Sequence, residues 1–120
     1  MNDAVLSFSV RVLGTTASQA LRDGKVLQSI RSRHSAAPFL RRRGQVVAVY
    51  LDGKFLYHVR ITEIKQKPLR DLTQFDAELG GFLTLKELQG AVKRAGFRFK
   101  PLHEYTGTFA IQFQQRPAPV

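Results

Sequence analysis

Residues 24–33, GKVLQSIRSR, gather a lysine, two hydroxyls and two arginines into ten positions. In an extended chain side chains alternate, so Lys25, Leu27, Ser29, Arg31 and Arg33 share one face and Val26, Gln28, Ile30 and Ser32 the other. Ammonium and guanidinium groups at such spacing suit a phosphate backbone, and an arginine adds a bidentate grip. Lys25 and Ser29 would stand about 13 Å apart at ~3.3 Å per residue, too far for a direct proton relay. The expected chemistry of this face is therefore binding. Arg41, Arg42 and Arg43 prolong the cationic track. Phe39, between Pro38 and those arginines, is the candidate aromatic for stacking on a base, whereas Tyr50, Tyr57 and Tyr105 are expected mainly in the core.

The charge of the whole chain points the same way. Nineteen Lys and Arg against nine Asp and Glu give a net charge of +10. Seven of those basic residues, Arg22, Lys25, Arg31, Arg33 and Arg41 to Arg43, fall within residues 22–43 beside a single acid, Asp23. Such a concentration suits a polyanion, because neutralising phosphates supplies affinity without regard to sequence. The chain has no cysteine, which excludes disulfides, thiolate nucleophiles and cysteine-ligated zinc, and His34, His58 and His103 lack ligand spacing. No metal or cofactor is expected. The start, MNDAVLSFSVRV, lacks the basic and long apolar regions of a signal peptide, and no apolar run nears the roughly 18 residues of a membrane span. A soluble, cytoplasmic protein with no membrane partner is the expectation.

The elements that must position these residues are short. At 120 residues and 43% hydrophobic, the chain suits one domain over residues 1–120. Residues 4–12 read as a first strand that turns at Gly14, and residues 16–23 as a short helix ended by Gly24. Residues 25–31 read as the next strand and 32–44 as a basic loop. Two β-rich runs joined by Asp52-Gly53 predict a hairpin with a type I′ turn. In its second run Phe55, Tyr57, Val59 and Ile61 form one face. Thr73 and Asp76 cap a helix to about Leu79, which Gly80-Gly81 stops. A second capping box, Thr84 with Glu87, opens a helix striped by Leu85, Leu88, Val92 and Ala95, with Leu83 and Leu88 at staple positions. Phe109, Ile111 and Phe113 alternate in a last strand, and residues 115–120 read as a frayed tail. Five or six mostly hairpin-connected strands with two or three short helices predict an α+β fold built on a small antiparallel β-barrel.

The order of these motifs resembles the ASCH domain, a PUA-like β-barrel family. LSFS stands near the start, GKVLQSIRSR occupies the place of the family's Gly-x-Lys-Thr-x-Thr-x-Arg pattern, and GQVVAVY lies in the barrel. LRDLTQFDAELGGFLTLKEL occupies the place of its Asp-Ala-x-x-Glu-Gly-Phe segment and following helix. The resemblance implies a cleft between these two segments and RNA or nucleotide-like ligands. Some members are RNA-associated coactivators, some hydrolyse acylated cytidine and some cleave RNA, so the fold alone does not set the activity. In the amidohydrolase branch a lysine, a threonine and a glutamate share the work of nucleophilic attack and proton transfer. Carried over, the lysine falls on Val26, the threonine on Ser29 and the glutamate on or near Gly80, with Glu78 as a substitute carboxylate if the turn brings it in.

Only the hydroxyl of that set is retained, so hydrolysis is not the first expectation. The favoured reading is a nucleic-acid-binding module, for RNA ahead of single-stranded DNA. Its basic cleft is built from residues 25–43 and the 76–82 turn, with Lys25, Ser29, Arg31, Arg33, Arg41, Arg42 and Arg43 as binding residues. The alternatives are a nucleoside amidohydrolase or ribonuclease, with Ser29 as nucleophile or Lys25 and Tyr57 moving protons, and an inhibitor or regulator that docks an acidic protein.

Overall fold

The computed structural model describes residues 4–115. Five strands, β1 (Val5–Phe8), β2 (Gln28–Ser32), β3 (Val46–Leu51), β4 (Lys54–Gln66) and β5 (Thr108–Gln115), form one curled sheet in the order β1-β3-β4-β5-β2. The α+β class and the five strands expected from the sequence are thus present, the sheet being a curled half-barrel with two edges rather than a closed antiparallel barrel, and one strand pair differing in direction. β1 runs parallel to β3, whereas the other three neighbouring pairs are antiparallel. A parallel neighbour requires a crossover rather than a hairpin. Here the chain leaves β1 through helix α1 (Val10–Arg22) and makes β2 and α2 (Arg33–Ala36) before returning as β3.

The hairpin between β3 and β4 turns as its sequence predicts, with Asp52 and Gly53 both at positive φ, 49° and 80°. Burial alternates in the middle of β4, where Val59 and Ile61 are buried and His58 and Arg60 exposed. Phe55, by contrast, is half exposed beside a register shift at Val49/Tyr50. β5 continues through Gln115, so the tail expected from that residue begins no earlier than 116, and residues 116–120 lie outside the described ones.

Three further expectations are corrected. The first strand stops at Phe8, and Val10, Arg11 and Val12 are helical, the opening turn of α1 before its kink at Gly14. The strand read over residues 25–31 starts only at Gln28; Lys25 instead closes the end of α1, its N–H donating to the Ala20 carbonyl at 2.9 Å. The basic loop folds into α2, where Ser32 Oγ accepts from Ser35 N, followed by a 3-10 turn over Ala37–Phe39. β-branched and apolar residues misled the first two readings, because tertiary packing overrides local propensity in segments this short.

The two later helices form as their caps dictate. Thr73 and Asp76 make the complete capping box of α3 (Gln74–Leu79), and Thr84 caps α4 (Leu85–Arg94). Glu87 reaches past Thr84 to accept from Leu83 N at 3.0 Å, and Leu83 itself is exposed rather than stapled. Four α-helices therefore accompany the sheet among the described residues. The core has two centres. Leu6, Leu21, Val49, Ile61, Ile111 and Phe113 fill the space between sheet and α1. Ala17, Leu69, Ala77, Leu88, Ala91 and Val92 join α3 and α4 to the other side of α1.

Gly81 is the joint between these centres. It has φ +87°, and a Cβ placed there would stand 2.9 Å from both Ala20 Cβ and Val26 Cγ2. Gly81→Ala therefore combines backbone strain with a clash against buried neighbours, and is expected to destabilise the fold by about 2 kcal/mol or more. Chemical denaturation checks this; an unchanged midpoint would show that α3 does not depend on this close approach.

Candidate functional site

A cleft of about 530 Å³ opens where the end of β1, the first turn of α1, β2 and the α3–α4 pair meet. β2 is an edge strand, so the cleft follows its unpaired side and takes Gln28 to Ser32 in succession. Phe8, Leu13, Phe82, Leu88, Val92 and Phe97 supply apolar walls. The volume and the mixture of apolar walls with a few polar groups suit a small organic ligand, for which pockets of roughly 300–1,000 Å³ are usual.

Arg31 is the principal polar group of the cleft. Its Nε donates to Ser29 Oγ at 2.8 Å, as two residues on one strand face permit. Nη2 donates to the Ser7 carbonyl of β1 at 2.9 Å and Nη1 to Ser35 Oγ of α2 at 3.4 Å. The guanidinium carbon also lies over the Phe8 ring, 4.9 Å from its centroid. Among the described residues the only ion pairs are Lys67–Asp76 and Arg70–Asp71, so no carboxylate neutralises Arg31. Desolvation by burial lowers its pKa from the ordinary arginine value to about 10.

The floor beside Arg31 is a chain of polar side chains centred on buried Gln28 and Asp76. Gln112 Nε2 donates to Gln28 Oε1 at 2.9 Å, and Gln28 Nε2 donates to Asp76 Oδ1 at 3.0 Å. The other Asp76 oxygen accepts from Thr73 N and Thr73 Oγ1 and pairs with Lys67 Nζ at 3.2 Å. Burial pushes the Asp76 carboxyl upward, but the bonds from Gln28, Thr73 and Lys67 outweigh it and hold the group below its ordinary value.

Of the seven residues expected at the site, the fold brings Ser29 and Arg31 into the cleft. Lys25 is exposed on the turn after α1, outside the lining, because β2 does not extend back to it. Arg33, Arg41 and Arg43 are exposed on α2 and the turn that follows. Arg42 lies in that turn, its Nε donating to the Pro38 carbonyl and its Nη1 to Gln45 Oε1. The 76–82 turn reaches the cleft through Asp76, Gly80 and Phe82.

The expected aromatic and proton-transfer groups are placed elsewhere. Phe39 is 2% exposed and belongs to the core, so it offers no free ring face. Tyr57 donates its hydroxyl to the Leu21 carbonyl at 2.6 Å outside the cleft, and burial raises its pKa. Val26 is a core residue, Gly80 lines the cleft without a side chain, and Glu78 is exposed outside the lining. Sequence reasoning missed Ser7, Phe8, Gln28 and the α4 wall. It read Asp76 as a helix cap at the start of the 76–82 turn expected at the cleft, and missed the bond that its carboxylate accepts from Gln28.

Comparison with solved structures identifies the fold. The chain superposes on the ASCH domain from Lactobacillus crispatus JV V101 with a TM-score of 0.65, at 16% identity over 92% of this chain and 79% of that one. A protein of Enterococcus faecalis V583 from the DUF984 family gives a TM-score of 0.58, at 15% identity over 96% of this chain and 82% of that one. No protein-family model matches the sequence, and no curated protein matches it. The architecture is therefore the ASCH-like fold that the motif order suggested.

Because the folded pKa of Asp76 is depressed, its stabilisation is complete above the unfolded value near 3.8 and is lost as pH falls through the lower folded value. Asp76→Asn should cost about 2 kcal/mol at pH 7 through the lost charge-assisted bonds. It should also flatten the acid limb of a stability–pH curve, which denaturant titrations between pH 2 and 7 would read. An acid limb as steep in the variant would assign that dependence to other carboxylates.

Proposed function

We propose that this protein binds RNA, taking one nucleotide into the cleft with an anionic oxygen on Arg31. The observation that carries this reading is a desolvated guanidinium without a counter-ion, held rigidly by Ser7, Ser29 and Ser35. Removing an arginine from water is costly unless an opposite charge meets it, and a phosphate does so with bidentate geometry. An arginine has five N–H donors, and these protein contacts use three of them. One donor remains on each terminal nitrogen for a ligand.

The rest of the cleft suits the remainder of a nucleotide. Phe8, Phe82 and Phe97 give apolar surface for a base or sugar, and Gln28 and Asp76 present amide and carboxylate groups at the polar floor. Outside it, Arg33, Arg41 and Arg43 stand exposed on α2 and the next turn, adjoining the end of β2 in the chain. They suit neighbouring phosphates of a longer strand, in keeping with the +10 charge. Binding is favoured over hydrolysis because Val26 and Gly80 occupy the positions at which the ASCH resemblance implies proton-transfer groups.

The triple variant Arg33→Ala, Arg41→Ala, Arg43→Ala should lower affinity for a single-stranded RNA. It should also reduce the slope of log K against log salt by about 2, at roughly 0.7 per phosphate contact on a single strand. Fluorescence anisotropy between 50 and about 300 mM salt measures both quantities. Salt-insensitive binding, or an unchanged slope in the variant, would overturn the proposal.

A further inference from the structure

Arg31 borders two cavities. Besides the cleft, a separate depression of about 400 Å³ lies against it, lined also by Val5 of β1, Ser35 of α2, Pro38, Phe39 and Arg42. Arg31 and Ser35 are common to both linings. Arg31 is thus shared by the two, with Ser7 and Ser29 bonded to its guanidinium on the strands that flank the gap.

We propose that this depression is a second nucleotide subsite, taking the residue that adjoins the one in the cleft. The inference rests on the reading that the cleft itself binds a nucleotide. Val5 and Pro38 give it an exposed apolar surface over buried Phe39, of a kind that a base or sugar covers. Arg42 gives it a cation of its own, fixed in place by the Pro38 carbonyl and Gln45. A phosphodiester joining two nucleotides would then lie at Arg31, whose two remaining N–H groups belong to different terminal nitrogens. The chemistry selected is that of a short single strand rather than a free mononucleotide. Two apolar beds are separated by one fixed cation, and a second cation bounds the outer one.

The test compares the four ribonucleoside 5′-monophosphates with the four corresponding 5′-phosphorylated homodinucleotides by isothermal titration calorimetry. For at least one base the dinucleotide should bind about tenfold tighter, the scale of one added hydrogen bond from a charged group, here Arg42, to its second phosphate. Arg42→Ala should remove that gain while leaving mononucleotide affinity within about twofold, and Arg42→Lys, which keeps the charge, should retain most of it. Equal affinity for the two ligand sizes, or a gain that survives Arg42→Ala, would overturn the second subsite and leave the first reading standing. Loss of mononucleotide affinity in Arg42→Ala would make Arg42 a support of the fold and equally overturn it. Failure of either ligand to bind the unaltered protein would overturn both readings together.

Discussion

The hydrogen bond from Arg31 to the Ser7 carbonyl spans the one open seam of the sheet. β1 and β2 are its two edge strands, and the guanidinium of β2 reaches the backbone of β1 at 2.9 Å. Edge strands leave unpaired backbone groups that must be covered or satisfied. Here a side chain does so in place of a sixth strand, and the gap it spans is where the cleft lies. Closing the seam with a regular ladder would remove the cleft; leaving it unbridged would free both edges. Arg31 therefore holds the sheet's curvature and supplies the site's charge with the same group, and Ser29 and Ser35 fix its direction.

The second constraint is the polar chain from Gln112 through Gln28 and Asp76 to Lys67. It links β5, β2, the cap of α3 and the segment after β4, so the helix pair forming the far wall is tied to the sheet by bonds at the base of the cleft. A buried network of this kind stabilises only when its members are satisfied, and each Asp76 oxygen has partners. Asp76 consequently serves both the N-terminus of α3 and the cleft floor. Such economy is available to a short helix, whose capping carboxylate is never far from its packed face.

Much of this was legible in the sequence wherever a signal was local and redundant. The Asp52-Gly53 hairpin, the caps at Thr73 and Thr84 and the pairing of Ser29 with Arg31 each follow from residue type and spacing. What sequence could not supply was the location of strand ends. Val10 and Val12 alternate like a strand, yet the chain turns into helix after Phe8, where Asp52 Oδ1 accepts from Val10 N across the fold. The same uncertainty moved Lys25 out of the site: starting β2 three residues later places it on a turn. Charge counting located the basic region correctly in sequence. It could not say which arginine would be desolvated, because that depends on β1 and Phe8, which are remote in the chain.

Val26 and Gly80 are both buried and both without charge. Val26 is 4% exposed and packs where Gly81 makes its close approach to α1, so a lysine at this position would be a cation removed from water. Such a cation is costly unless acceptor groups surround it, and Gly80 brings no side chain to do so. An acid at position 80 with valine at 26 would carry the converse penalty. In this chain Arg31 is the unneutralised charge at the cleft.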